Sequence, residues 1–163
     1  MKKIIVPVAV LIVAGVLIFF VLQPKAAEPA QTIQTDRTNR EIALTCDPKM
    51  AQGFHVHPVL EIVVNGEKVA IPSNIGVNST CMTVLHTHTP DGVIHVESPE
   101  KRDFTLADFF AVWDQPFSAQ EILTNTTDAT HRIRVTVDGT EVDTFENTVL
   151  KDAEHIVISY ESL

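Results

Sequence analysis

Apolar positions along this chain fall into three regimes. Residues 4–22 are apolar or neutral without interruption, residues 23–40 show no hydrophobic period, and from about residue 41 short β-type runs alternate with one helical patch. The run Val59-Leu60-Glu61-Ile62-Val63-Val64 meets Asn65-Gly66 and returns through Glu67-Lys68-Val69-Ala70-Ile71. Asn-Gly supplies two residues that tolerate positive φ, so this segment predicts a tight antiparallel hairpin. A second hairpin is predicted over 133–142, where Arg134-Val135-Thr136-Val137 passes through Asp138-Gly139 into Thr140-Glu141-Val142. Residues 155–160 predict a last strand that closes the sheet.

Between the hairpins the period changes. Thr105-Leu106-Ala107-Asp108 reads as a capping-box start, and Leu106, Phe109, Phe110 and Trp113 recur at helical spacing until Pro116 stops them. That aromatic stripe is expected to pack on the sheet rather than line a ligand pocket. Ser118-Ala119-Gln120-Glu121 reads as a further capping box, opening a short turn with Ile122 and Leu123. The expected fold is α+β: an antiparallel sheet built from hairpins with one or two short helices packed on it, for which a β-grasp-like topology is one fitting arrangement.

The first regime changes the picture of where the domain sits. As a helix, the 19 residues of 4–22 would span roughly 28 Å, close to the ~30 Å hydrocarbon core of a bilayer. The run is longer than the ~7–15 residues usual in a cleaved signal peptide, and no Ala-x-Ala site follows it. Lys2 and Lys3 ahead of it favour a cytoplasmic N-terminal side. The expectation is a single transmembrane anchor at 1–22, a flexible linker at 23–40, and an extracytoplasmic domain at 41–163 on the cell membrane.

Charge narrows the partners. The chain carries 12 Lys plus Arg against 21 Asp plus Glu, net −9, and removing the +2 of Lys2 and Lys3 leaves −11 for everything after residue 22. An acidic body with no basic stripe excludes nucleic acid as a partner and is compatible with cations. Cys46 and Cys81 are the only cysteines. Outside the cytoplasm a disulfide between them is the default, with a thiolate metal ligand at Cys81 as the alternative.

Histidine carries the chemistry. Five of the seven fall between residues 55 and 95: His55 and His57 as one H-x-H, His86 and His88 as another, and His95. Thr89-Pro90-Asp91-Gly92 is a turn sequence between strand-like runs, and an antiparallel register about it places His86 opposite His95, with His88 on the same face. Three converging imidazoles are a ligand set for a divalent metal, zinc or copper. His55 and His57 would share a face if extended, either completing this site or forming another. Glu97 falls on the His95 face, as a fourth ligand, a hydrogen-bond partner that fixes an imidazole tautomer, or a general base. His131 and His155 stand at strand starts without companions.

These motifs also form a pattern: His55-Val56-His57, Asn65-Gly66, Ile71-Pro72, Ile75-Gly76, Cys81, His86-Thr87-His88, Gly92-Val93-Ile94-His95-Val96-Glu97-Ser98 and Phe109-Phe110-Ala111-Val112-Trp113. The chain resembles a recurring family of membrane-anchored or secreted prokaryotic proteins with an HxH, C, HTHxxxGxIHxES and FFxxW pattern. The resemblance implies a shared fold and assigns no substrate.

Three functions fit the sequence. The first is a membrane-anchored extracytoplasmic protein that binds copper or zinc through the histidine cluster. The second is a zinc-dependent hydrolase or an enzyme like the α-type carbonic anhydrases, an analogy of site and not of chain. The third is a structural or partner-docking domain without metal, in which the histidines form a hydrogen-bonded network.

Overall fold

The computed structural model describes residues 37–49 and 53–163. The expected anchor at 1–22, and the linker as far as residue 36, lie outside the described residues. Among the described residues no helix is long and apolar enough to cross a membrane.

The elements run α1 (Asn39–Ala43), β1 (Phe54–Val56), β2 (Val59–Val64), β3 (Glu67–Val69), β4 (Leu85–His86), β5 (His95–Ser98), α2 (Leu106–Trp113), β6 (Glu121–Ile122), β7 (Asn125–Thr126), β8 (His131–Val137), β9 (Thr140–Val142), a 3₁₀ turn at Phe145–Asn147, and β10 (His155–Ser162). Both tight hairpins form where their turn residues dictate. Asn65 and Gly66 have φ of 52° and 86°, Asp138 and Gly139 of 49° and 79°, so each turn has the two positive φ values that match strand twist.

The main sheet has the order β3-β2-β10-β8-β9. Counted among themselves, its strands stand 2-1-5-3-4. β10, the last strand expected from the sequence, lies between the two hairpins. It pairs parallel with β2 (Ile158 opposite Ile62) and antiparallel with β8 (Ile158 opposite Val135). The sheet is therefore mixed rather than wholly antiparallel. Ile156, Ile158, Ser159 and Tyr160 of β10 are all buried, the near-continuous burial expected of a strand covered on both faces.

Helix α2 begins at the expected capping box, in which the Thr105 amide donates to Asp108 Oδ2 at 3.1 Å, and ends at Asp114, whose φ of 57° is a left-handed cap. Leu106, Phe109 and Phe110 join Leu60, Ile62, Val135, Ile156 and Ile158 in one core, with Trp113 packed against it. The aromatic stripe is thus packing, as read from its spacing.

Two local expectations need correction. Residues 118–123 form no helical turn. Glu121–Ile122 and Asn125–Thr126 make a small hairpin instead, with Leu123 at φ 54° in its loop and the Ser118 hydroxyl accepting from the Gln120 amide. A Ser-x-x-Glu box requires a helical run after it, and Pro116 and the β-tolerant residues after Glu121 do not provide one. The folded domain also begins before residue 41, where the sequence placed its start. Thr38 caps α1, Arg40 Nε pairs with Asp108 Oδ1 at 2.9 Å, and Ala43 is fully buried. Five helical residues are too few to carry a legible period.

The smaller sheet, order β1-β5-β4, carries the histidines. Its β4–β5 hairpin is fastened to β2: the Leu60 amide donates to Gly92 O and the Ile94 amide to Pro58 O, each at 2.9 Å. Gly92 has φ +83°, and a Cβ there would meet Leu60 O at 2.2 Å, so only glycine allows this approach. Cys46 and Cys81 form a disulfide with Cα atoms 5.4 Å apart. Asp47 and Met82 exchange backbone hydrogen bonds beside it. The alternative of a Cys81 thiolate ligand is removed by that bond.

Candidate metal centre

Strand alternation builds the site. On β5, Val96 and Ser98 are buried toward the core, so His95 and Glu97 face the other way. Antiparallel register then brings neighbours to them from both sides. His86 of β4 stands opposite His95, and His55 of β1 opposite Glu97. The His86–His95 pairing is the register read from the Pro-Asp-Gly turn. The position of β1 against the far edge of β5 was open in the sequence, and it places His55 and His57 beside the same three imidazoles.

The result is one cluster of five histidines. Ring centroids lie 4.8 Å apart for His86 and His88, 4.7 Å for His88 and His95, 4.7 Å for His57 and His95, and 4.3 Å for His55 and His57. It resolves into two triads, His86/His88/His95 and His55/His57/His95, each with ligand atoms within 4.8 Å of one another. Nitrogens around a tetrahedral zinc stand about 3.4 Å apart, given bonds of about 2.05 Å. Each triad has its ligand atoms close enough together to hold a metal ion.

The buried end of the cluster shows which nitrogen is free. His86 has no exposed surface, and its Nδ1 lies 2.9 Å from Thr83 O. A carbonyl only accepts, so Nδ1 carries the proton and Nε2 the lone pair. Among the described residues, neither His86 Nε2 nor His95 Nδ1, both buried, has a hydrogen-bond partner. Glu97 Oε1, at 4.0 Å from the first and 3.8 Å from the second, is too distant for a hydrogen bond. Buried nitrogens aimed at other ligand atoms and left unpaired fit a metal ion.

Electrostatics keep these rings neutral. Burial pulls the His86 imidazole below its ordinary value, outweighing the Thr83 carbonyl and Glu97, which favour the charged form. Burial does the same to His95, helped by His86, His57 and His88 and opposed by Glu97. Neutral imidazole is the form that binds metal.

Glu97 accepts the role of a shared carboxylate. Its Oε1 is 2.9 Å from His55 Nε2, and its side chain is 14% exposed. Two further partners had no local signal. Thr83, itself held by a 2.6 Å bond from its hydroxyl to Leu85 O, fixes the His86 tautomer. Asp152, 95 residues from His57 in sequence, accepts from the His57 amide at 2.9 Å. His131 and His155 stay outside the cluster: His131 stacks on Tyr160 at 5.0 Å and lies 3.3 Å from Asp128, and His155 lies 3.8 Å from Glu61.

No family model, curated protein or solved structure matches the chain.

Proposed function

We propose that this is a membrane-anchored, extracytoplasmic protein that binds zinc or copper through its histidine cluster, on a β-grasp-like domain. The observation that carries the metal is the unpaired, buried Nε2 of His86, held in its tautomer by Thr83 and set opposite His95. A donor set of neutral imidazoles with a nearby carboxylate suits either metal. The 2-1-5-3-4 strand order with a parallel central pair supports the β-grasp-like description.

The apolar run at 4–22 behind Lys2 and Lys3 supports the anchor, and the Cys46–Cys81 bond suits an oxidising compartment. The resemblance to membrane-anchored or secreted prokaryotic proteins supports the same placement. Fractionation with a carbonate wash, and thiol labelling before and after reduction, test it.

Metal binding is tested by elemental analysis and thermal melting of the full-length chain in detergent, with and without Zn(II) and Cu(II). A bound ion stabilises the fold by about 2.7 kcal/mol at a hundredfold excess over Kd. Stoichiometric metal and a raised Tm, both lost in His86→Ala/His88→Ala/His95→Ala, support the reading. An absence of metal uptake and of any shift in Tm by the wild-type chain rejects it.

A further inference from the structure

We propose that the two triads are successive positions of one metal ion, which lands on His55, His57 and His95 and passes by ligand exchange to His86, His88 and His95. This rests on the metal-binding reading and adds the route by which the ion reaches its buried position.

The two triads differ in access. One triad joins a His86 side chain with no exposed surface to an exposed His88, whereas in the other the His55 and His57 side chains are 51% and 42% exposed. An arriving hydrated ion therefore finds two open ligands at His55 and His57, but only one, His88, at the other triad, where His86 Nε2 is closed to solvent. Strand order makes His95 the pivot. It lies on β5, the middle strand of β1-β5-β4, so it neighbours the histidines of both edge strands and belongs to both triads. The His57 and His88 rings each approach it edge-on at 4.7 Å.

Transfer along this row never releases the ion. His95 stays bound while one imidazole from β1 is replaced by one from the β4 side, then the second by the second. Each exchange forms one metal–nitrogen bond and breaks one, with no proton or electron transferred. Glu97 accompanies the path: its Oε1 is 2.9 Å from His55 Nε2, 3.8 Å from His95 Nδ1 and 4.0 Å from His86 Nε2. A carboxylate within reach of both positions offsets the cation's charge as its hydration shell is shed. A neutral imidazole offers one lone pair, so the shared His95 allows one triad to be filled at a time.

Co(II) is the probe, since its visible bands report an imidazole-rich, low-coordinate site in stopped-flow mixing with the full-length chain in detergent. The wild type is expected to take one equivalent. His55→Gln/His57→Gln, which alters only exposed or half-exposed side chains, is expected to keep one equivalent and a similar Kd while loading and releasing about tenfold more slowly. His86→Leu is expected to load fast, bind weakly and release fast, the behaviour of the outer position alone. Circular dichroism shows that each variant is folded. Loading of His55→Gln/His57→Gln at the wild-type rate would overturn the route, and uptake of two equivalents by the wild type would overturn single occupancy. If the wild type takes up no Co(II), Zn(II) or Cu(II), the metal-binding reading itself fails, and the route with it.

Discussion

His86 stands directly opposite His95 across the β4–β5 pair, and their rings stack 5.2 Å apart and 10° from parallel. Each presents a buried nitrogen without a hydrogen-bond partner among the described residues. Two neutral imidazoles so placed leave their lone pairs free for a metal ion but resist a proton, chiefly because burial disfavours the charged ring.

That resistance sets an acid limit on the metal-free fold. Both groups are held below their ordinary value in the folded state, chiefly by burial. The unfolded chain thus binds protons that the folded chain refuses, and this contribution is complete above about pH 6.5 and lost as pH falls below it. The expected result is a metal-free Tm that drops between pH 7.5 and 5 and a flatter profile in His86→Leu/His95→Leu. Asp128 does not interfere, since hydrogen bonds from Thr130 hold its carboxyl at about 2 and its effect is confined to pH below the usual carboxylate range. Equal slopes in the variant and the wild type would show that other groups set the acid limit.

How much of this was legible in the sequence depends on the distance over which each signal acts. Asn65-Gly66 and Asp138-Gly139 announce their hairpins because a two-residue turn needs positive φ at both positions. Pro90-Asp91-Gly92 likewise set the register that pairs His86 with His95. The parallel β2–β10 contact has no turn to announce it, since its strands are joined by most of the domain, and so the sequence predicts the last strand but not its place in the sheet. The docking of β1 on β5 is hidden for the same reason, although the alternation of His55, Val56 and His57 already showed that both histidines share a face. Residues 118–121 misled because a serine in a turn and a serine at a capping box each accept from a backbone amide just ahead, and here the donor is the Gln120 amide rather than the Glu121 amide that a capping box uses.

Glu97→Gln keeps the shape of the side chain and removes its charge. Glu97 Oε1 lies within 4.0 Å of ring nitrogens from three histidines, so its charge acts on whichever position holds the ion. The variant is expected to bind Zn(II) about 10- to 100-fold more weakly, the range for loss of a carboxylate that orients or neutralises a metal site. Competition against a chelator of known affinity measures it. Unchanged affinity would make Glu97 a partner of His55 alone.

The disulfide closes a loop over a sequence separation of 35, which removes about 4 kcal/mol of unfolded-state entropy in the chain-entropy description. Cys46→Ser/Cys81→Ser is expected to lower the unfolding free energy by about that amount in urea titration. Metal stoichiometry should persist, because β4 and β5 are held by their own pairing and by the Gly92 contact with β2. Loss of metal uptake in a folded double variant would show that the bridge also positions the loop carrying Thr83.

His86→Leu separates a functional histidine from a structural one. Its Nε2 is buried without a partner, and leaving a polar atom in that state costs about 1–3 kcal/mol. Leucine removes that penalty and fills a similar volume, while forfeiting the Nδ1 bond to Thr83 O, worth about 1 kcal/mol. The two changes oppose each other, so the metal-free variant is expected to match the wild type within about 1 kcal/mol. The metal-induced rise in Tm should shrink in the same protein to the small rise that weak binding at His55, His57 and His95 gives. A histidine kept for packing would give the reverse pattern, a large loss of metal-free stability with the response to Zn(II) intact. Paired thermal melts of the two chains, with and without the ion, decide between them.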